Sequence, residues 1–272
     1  VVESGLVALP SGGALHIEGD AHAPGVLLLH GVGGGAWSWR PQRADLARTH
    51  RVYTWEARGH GAAARVDDAG FADYLHDARE ALAIASEHGA PVLIGHSMGG
   101  FIAIILAAAA GAAHALALID PVYNEENATH VAPPLRSLAL AFTKPVMRSA
   151  QRDGLLARTI GRSIFNASFT DRAAREAAWA EQRAQIPFEY PRMFNEGITG
   201  VSGIDFRPYA EEIAVPTLVI NGRFPRLRDA LARNLGPRFT DETIAGGHYL
   251  QLDRPAAVTE RLRRFLDETA AA

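Results

Sequence analysis

The feature that most constrains this fold is a series of short strand-like runs, the central ones continuously apolar rather than alternating. They are "GVLLLHG" (25–31), "RVYTWEA" (51–57), "APVLIGH" (90–96), "HALALID" (114–120) and "PTLVING" (216–222). A strand with one wet face alternates polar and apolar residues. A strand that is apolar throughout must be covered on both faces, as in a parallel sheet packed between helices. Helical patterns do separate the runs, such as "FADYLHDAREALAIASEHG" (71–89) and "AAVTERLRRFLDETA" (256–270). The alternation predicts a doubly wound, mostly parallel α/β sheet. A weaker strand pattern, "RFTDETIAG" (238–246), extends it, and "GLVAL-PSGG-ALHIEG" predicts an antiparallel hairpin at the start.

The rhythm stops between residues 122 and 213. There "PPLRSLALAFTKPVMRSAQRDGLLARTIG" and "TDRAAREAAWAEQRAQ" have helical patterning punctuated by Pro and Gly. A stretch this long is no simple loop. The expected organisation is a core of residues 1–121 and 214–272 with an inserted helical cap, 122–213. At 272 residues the chain has length enough for both.

Composition excludes several functions. A formal charge of −3 with scattered Lys and Arg provides no electrostatic footprint for nucleic acid or an anionic membrane. The absence of cysteine removes disulfides, a thiol nucleophile and thiolate metal ligands. The longest apolar stretch, Phe101 to Ala113, is about thirteen residues, short of the ~20 that span a bilayer. With no basic-then-apolar leader in "VVESGLVALPSGG", the expectation is a cytoplasmic protein whose partner is a small molecule. Oligomeric state has no signature.

Gly95-His96-Ser97-Met98-Gly99 fits G-x-S-x-G between a buried strand pattern and the helical run "FIAIILAAAA". The spacing suits a nucleophilic serine. A tight strand-to-helix turn lifts its hydroxyl above the sheet, and flanking glycines avoid collisions. The following helix N-terminus offers free N–H groups to a developing oxyanion. A second glycine-rich turn, "LLLHGVGGGAWSW" (27–39), also follows a buried strand. It lacks the spacing of a phosphate-binding loop. The candidate oxyanion donors are Val32 N–H and Met98 N–H, with His30 bracing the loop. In "AGGHYLQLDRP" (245–255), after the last strand pattern, His248 is the candidate general base. The remaining histidines have no metal-ligand spacing.

These motifs, "LLLHGVGGGAW", "RVYTWEARGHG", "VLIGHSMGG", "VPTLVING" and "GGHYLQLDRP" in this order, resemble the α/β-hydrolase superfamily over residues 5–121 and 214–270. The resemblance implies the α/β-hydrolase fold, Ser97 as nucleophile, His248 as base and an oxyanion hole of Val32 and Met98 N–H. It implies neither metal nor organic cofactor. The chain departs from the family at Glu56, where Asp is common in a structural position. It departs again at Pro225, which occupies the usual place of the triad acid, three residues past Gly222. The acid then has several candidates. Asp120 ends a strand pattern, and strand carboxyl ends converge on the site in open α/β sheets. Asp229 suits a helix N-cap. Asp241 and Glu242 fall within a strand pattern. Asp120 is the preferred acid, with Asp229 as its rival.

The function expected from these residues is hydrolysis of an ester, thioester or lactone of a small, largely apolar molecule through an acyl-enzyme. Carbon–carbon hydrolysis of a β-diketone-like substrate uses the same residues. A cofactor-independent dioxygenase-like enzyme and a hydrolase-like receptor are the readings from other classes. Leu138, Phe142, Met147, Phe165, Trp179 and Phe188 either line an acyl pocket under the cap or fill the cap's own core.

Overall fold

The computed structural model describes residues 3–64, 66, 69–121, 159, 162–163, 165–185, 204–222 and 238–271. The described strands are β1 (Glu3–Ala8), β2 (Ala14–Gly19), β3 (Gly25–Leu29), β4 (Arg51–Glu56), β5 (Val92–His96), β6 (Ala115–Ile119), β7 (Thr217–Asn221) and β8 (Phe239–Thr243). They form one sheet in the order β1-β2-β4-β3-β5-β6-β7-β8. The β1–β2 and β2–β4 pairs are antiparallel and every later pair is parallel. The described helices are α1 (Arg40–Leu46), α2 (Phe71–Ala85), α3 (Met98–Ala107), α4 (Arg172–Gln185), α5 (Arg207–Glu212), α6 (Leu250–Asp253) and α7 (Pro255–Ala270), with a 3₁₀ turn at Ala36–Trp39.

The apolar strands are covered on both faces, as their patterning requires. Leu27, Leu29, Leu93, Leu116 and Leu118 point into a core with Tyr74 and Ala78 of α2, Phe101 and Ile105 of α3, and Phe206 and Ala210 beside α5. Their neighbours Val26, Leu28, Ile94, Ala117 and Ile119 point into a second core with Trp39, Leu46, Leu250 and the α7 residues Val258, Leu262 and Phe265. The period of two in a pleated strand sends successive side chains to opposite cores. Each completely buried Leu contributes roughly 1.5–3 kcal/mol.

Helix α2 is shorter than its sequence pattern. It ends at Ala85, and the chain turns through Gly89, whose φ of 122° needs glycine. Helix α3 has no polar side at all; each of its ten residues is buried. Residues 204–213 have no strand pattern, yet Phe206 stacks on Phe101 of α3, with ring centroids 4.3 Å apart, and Ile213 is buried in the same core. Among the described residues no helix is long and apolar enough to cross a membrane.

Candidate active site

The site assembles at the carboxyl ends of β3, β5 and β6. Ser97 follows β5 with φ 51° and ψ −116°, and Asp120 follows β6 with φ 37°. Among the described residues, these two are the non-glycine positions with positive φ. Such a conformation costs on the order of 1–3 kcal/mol, so it persists only where the surroundings impose it. The crowding is visible at the glycines. A Cβ on Gly95 would strike the Gly99 carbonyl oxygen, and one on Gly99 would strike the Leu29 carbonyl oxygen. The turn thus packs directly against the end of β3.

The glycine loop after β3 folds as a tight turn. Gly34 N–H donates to Gly31 C=O at 2.9 Å, and Gly33 has φ 70°. Positive φ at the third position is the demand of a type II turn, which glycine meets. Buried side chains hold this turn. His30 Nδ1–H donates to Gly31 C=O at 2.7 Å, and its Nε2 accepts from Ala57 N–H at 3.1 Å. His60 Nε2 accepts from Gly33 N–H at 3.2 Å. Both rings therefore stay neutral. Burial lowers the pKa of His30. Burial, then the neighbouring His30, brings that of His60 to about 3. The Tyr249 hydroxyl donates to Val32 C=O at 3.3 Å. Val32 N–H and Met98 N–H make no hydrogen bond within the protein among the described residues.

Glu56 ties this loop to the one after β4. Its carboxylate accepts from Ala36 N–H at 2.8 Å, Ala62 N–H at 2.8 Å and His16 Nε2–H at 2.9 Å. Burial pushes its pKa up, but the hydrogen bonds from His16, Ala36 and Ala62 prevail and hold it at about 2. Glu56 is thus a working structural carboxylate. The longer side chain fits because Gly35 and Gly61 leave room, and a Cβ on Gly61 would collide with the Glu56 carboxylate.

His248 lies in the loop between β8 and α6. Its Nδ1–H donates to Asp120 Oδ2 at 2.6 Å. Asp120 Oδ1 accepts Gly222 N–H at 2.9 Å, so both carboxylate oxygens are oriented. With Nδ1 protonated, His248 Nε2 carries the lone pair. The base loop is also tied to the serine turn. His96 Nε2–H donates to His248 C=O at 2.8 Å, and the two rings lie 4.9 Å apart. The structure therefore brings Asp120 to His248. Glu242 instead pairs with Arg261 at 2.5 Å, away from the histidine. Asp229 and Pro225 lie outside the described residues.

Two further side chains have no announcing motif. Asp253, at the end of α6, accepts from Gly247 N–H at 2.8 Å, Asp171 N–H at 2.7 Å and Thr170 Oγ1–H at 2.5 Å. It fastens the segment entering α4 to the residue before His248. Burial raises its pKa, but the Thr170 hydroxyl and the three main-chain donors prevail and hold it below the usual aspartate value. Gln182 of α4, only 3% exposed, donates from Nε2 to Gly33 C=O at 2.8 Å. Of the apolar cap residues singled out from sequence, Phe165 is buried against Phe169, Trp179 and Tyr249. It fills the contact between α4 and the His248 loop. Leu138, Phe142, Met147 and Phe188 lie outside the described residues.

A parallel sheet with a strained serine turn, a glycine loop and a histidine–carboxylate pair at one end defines a class of protein, and comparison agrees. The profile of the alpha/beta hydrolase family matches residues 26–261, and the chain belongs to that family. The enol-lactonase from Burkholderia xenovorans LB400 superposes with a TM-score of 0.75 at 22% identity, covering 97% of this chain and 100% of that one. A thermophilic esterase from Thermogutta terrifontis superposes with a TM-score of 0.73 at 20% identity, covering 98% and 99%. These likenesses are of fold. In sequence, a proposed carbamate hydrolase of Variovorax paradoxus is 38% identical over 98 residues, 34% of this chain and 36% of the relative. The match thus spans little more than a third of that relative's length.

Proposed function

We propose that this chain is a serine hydrolase that cleaves an ester, thioester or lactone of a small, largely apolar molecule through an acyl-enzyme. The observation that carries the reading is the 2.6 Å hydrogen bond from His248 Nδ1 to Asp120, with His248 tied by its carbonyl to the residue before Ser97. It leaves His248 Nε2 free to act as base. Ser97 Oγ attacks the carbonyl carbon and its proton passes to Nε2. The oxyanion is held by Val32 and Met98 N–H. Collapse breaks the bond to the leaving group, which takes the proton from His248. Water, deprotonated by the same nitrogen, then attacks the acyl group and releases Ser97. Asp120 fixes the tautomer and stabilises the imidazolium. The names of the similar proteins, an enol-lactonase, an esterase and a proposed carbamate hydrolase, support hydrolysis at an acyl carbon bearing a heteroatom.

The test combines a fluorophosphonate probe with a panel of p-nitrophenyl esters of rising acyl length and simple lactones. The probe should label Ser97, and Ser97→Ala should lower turnover by on the order of 10⁴–10⁶. Retention of more than a few per cent of wild-type turnover by that variant would rule out the acyl-enzyme.

A further inference from the structure

Gln182 belongs to the inserted segment, far in sequence from the glycine loop, yet its side-chain amide is buried against it. The hydrogen bonds it begins run in series. Gln182 Nε2–H donates to Gly33 C=O at 2.8 Å. That carbonyl shares a peptide plane with Gly34 N–H, which donates to Gly31 C=O at 2.9 Å. The Gly31 carbonyl in turn shares its plane with Val32 N–H. A carbonyl only accepts, so the orientation of the Gln182 amide is fixed.

From this series we propose that Gln182 is a positioning residue for the oxyanion hole, acting through two peptide planes on Val32 N–H. The inference rests on the serine-hydrolase reading above. Two effects combine. A trans peptide is rigid, so fixing the carbonyl at one edge fixes the direction of the N–H at the other. Hydrogen bonds in series also polarise one another, by roughly 10–30% per bond. Donation by Gln182 makes Gly34 a better donor, and donation by Gly34 does the same for Val32. The central peptide of the turn is clamped separately, by Tyr249 at Val32 C=O and His60 at Gly33 N–H. His30 also holds the Gly31 carbonyl directly, at 2.7 Å, so Gln182 is the contribution of α4 to a turn that the sheet side holds as well.

Loss of a whole oxyanion donor costs about 10²–10³ in kcat, so a residue acting at two removes should cost less. Gln182→Met keeps the length and removes the donor. On p-nitrophenyl acetate its kcat should fall about tenfold, per active site titrated with fluorophosphonate, with KM within about twofold. Gln182→Glu provides the sharper readout. Ionised, its carboxylate faces the Gly33 carbonyl and cannot donate; protonated, it can. Its kcat relative to wild type should therefore rise as pH falls from 8 to 6. Arg40→Ala removes a different contact to the same helix, the ion pair with Glu181 at 2.8 Å, and should leave kcat unchanged. If Gln182→Met keeps wild-type kcat, or if the Gln182→Glu ratio is flat with pH, the relay is wrong. A loss of kcat in Arg40→Ala as large as in Gln182→Met would assign the effect to helix docking alone and overturn the proposal. The Ser97→Ala variant separates the two claims: if it is inactive while Gln182→Met is normal, only the relay fails.

Discussion

The two sides of the site are built with the same device and differ in what they join. On one side Glu56 gathers main-chain donors from Ala36 and Ala62 and the His16 ring. On the other side Asp253 gathers donors from Gly247, Asp171 and Thr170. Each is a buried carboxylate saturated by hydrogen bonds to the charged form, which offsets the cost of burying it. Glu56 joins parts of the sheet domain to one another, whereas Asp253 joins the segment leading into α4 to the loop of His248. Asp120 contrasts with both. One of its oxygens is anchored on Gly222 and the other faces a titratable ring. Glu56 and Asp253 act as fastenings between segments, whereas Asp120 holds the ring of His248.

That contrast orders the expected effects. On the proposed mechanism Asp120→Asn should cause the largest, a fall in kcat on the order of 10⁴, the size seen where a serine protease loses the acid behind its base. Its melting temperature should change little beside that; a variant that is simply unfolded by circular dichroism would break the distinction. Glu56→Ala should show the reverse balance. It strands Ala36 and Ala62 N–H and the His16 ring, with a cost of about 3–5 kcal/mol in urea unfolding. Asp253→Asn should cost less, about 2–3 kcal/mol, because the amide oxygen still accepts. Its distinctive sign is local: hydrogen exchange should quicken in α4 and around residues 247–249, and not in β3–β6. Uniform quickening across the sheet would erase the difference between the two sides.

The last expected effect is on pH dependence. Glu56 has a folded pKa of about 2 against an ordinary 4.5. Its stabilisation is complete above 4.5 and is lost as pH falls through that window, about 3 kcal/mol in all. His60 acts in the same direction at higher pH. It stays neutral in the fold down to about 3, while the unfolded ring takes up a proton near 6.5. Stability should thus begin to fall below pH 6.5 and fall further below 4.5. His60→Gln should make that slope shallower between 6.5 and about 3 while leaving the Glu56 contribution below 4.5, as measured by urea unfolding across pH.

The sequence was most legible where covalent geometry leaves few choices. Gly95, Ser97 and Gly99 are adjacent, and the strained turn they make is local, so the motif could be read directly. The parallel sheet was legible because both cores demand apolar residues without a break. The Asp120–His248 pair was legible by position, since a residue ending a central strand faces the loops that follow the others. Glu56 was noticed as a departure, but its partners Ala36 and Ala62 are main-chain groups, which leave no residue-type signal. Asp253 stood in view within "GGHYLQLDRP" without a role, because its partners arrive from 82 and 83 positions away. Gln182 was hidden more thoroughly. In "RAAREAAWAEQRAQ" it reads as one more polar residue on a solvated helix. Only the docking of α4 reveals that this position is dry.

The position of Asp120 has a consequence for how such a chain can diversify. Ser97 and Asp120 both belong to the unit β5-α3-β6, which is complete by residue 120. The chain rejoins the sheet as β7, paired directly with β6 from Leu116↔Thr217 to Ile119↔Ile220, and Gly222 follows at once to hold the acid. Whatever lies between can be lengthened, shortened or exchanged by recombination without moving the acid. On the proposed mechanism the nucleophile and the acid are thus inherited together, ahead of the segment 122–213, and an exchanged segment would need a glutamine and an Asp253-binding turn to match its host.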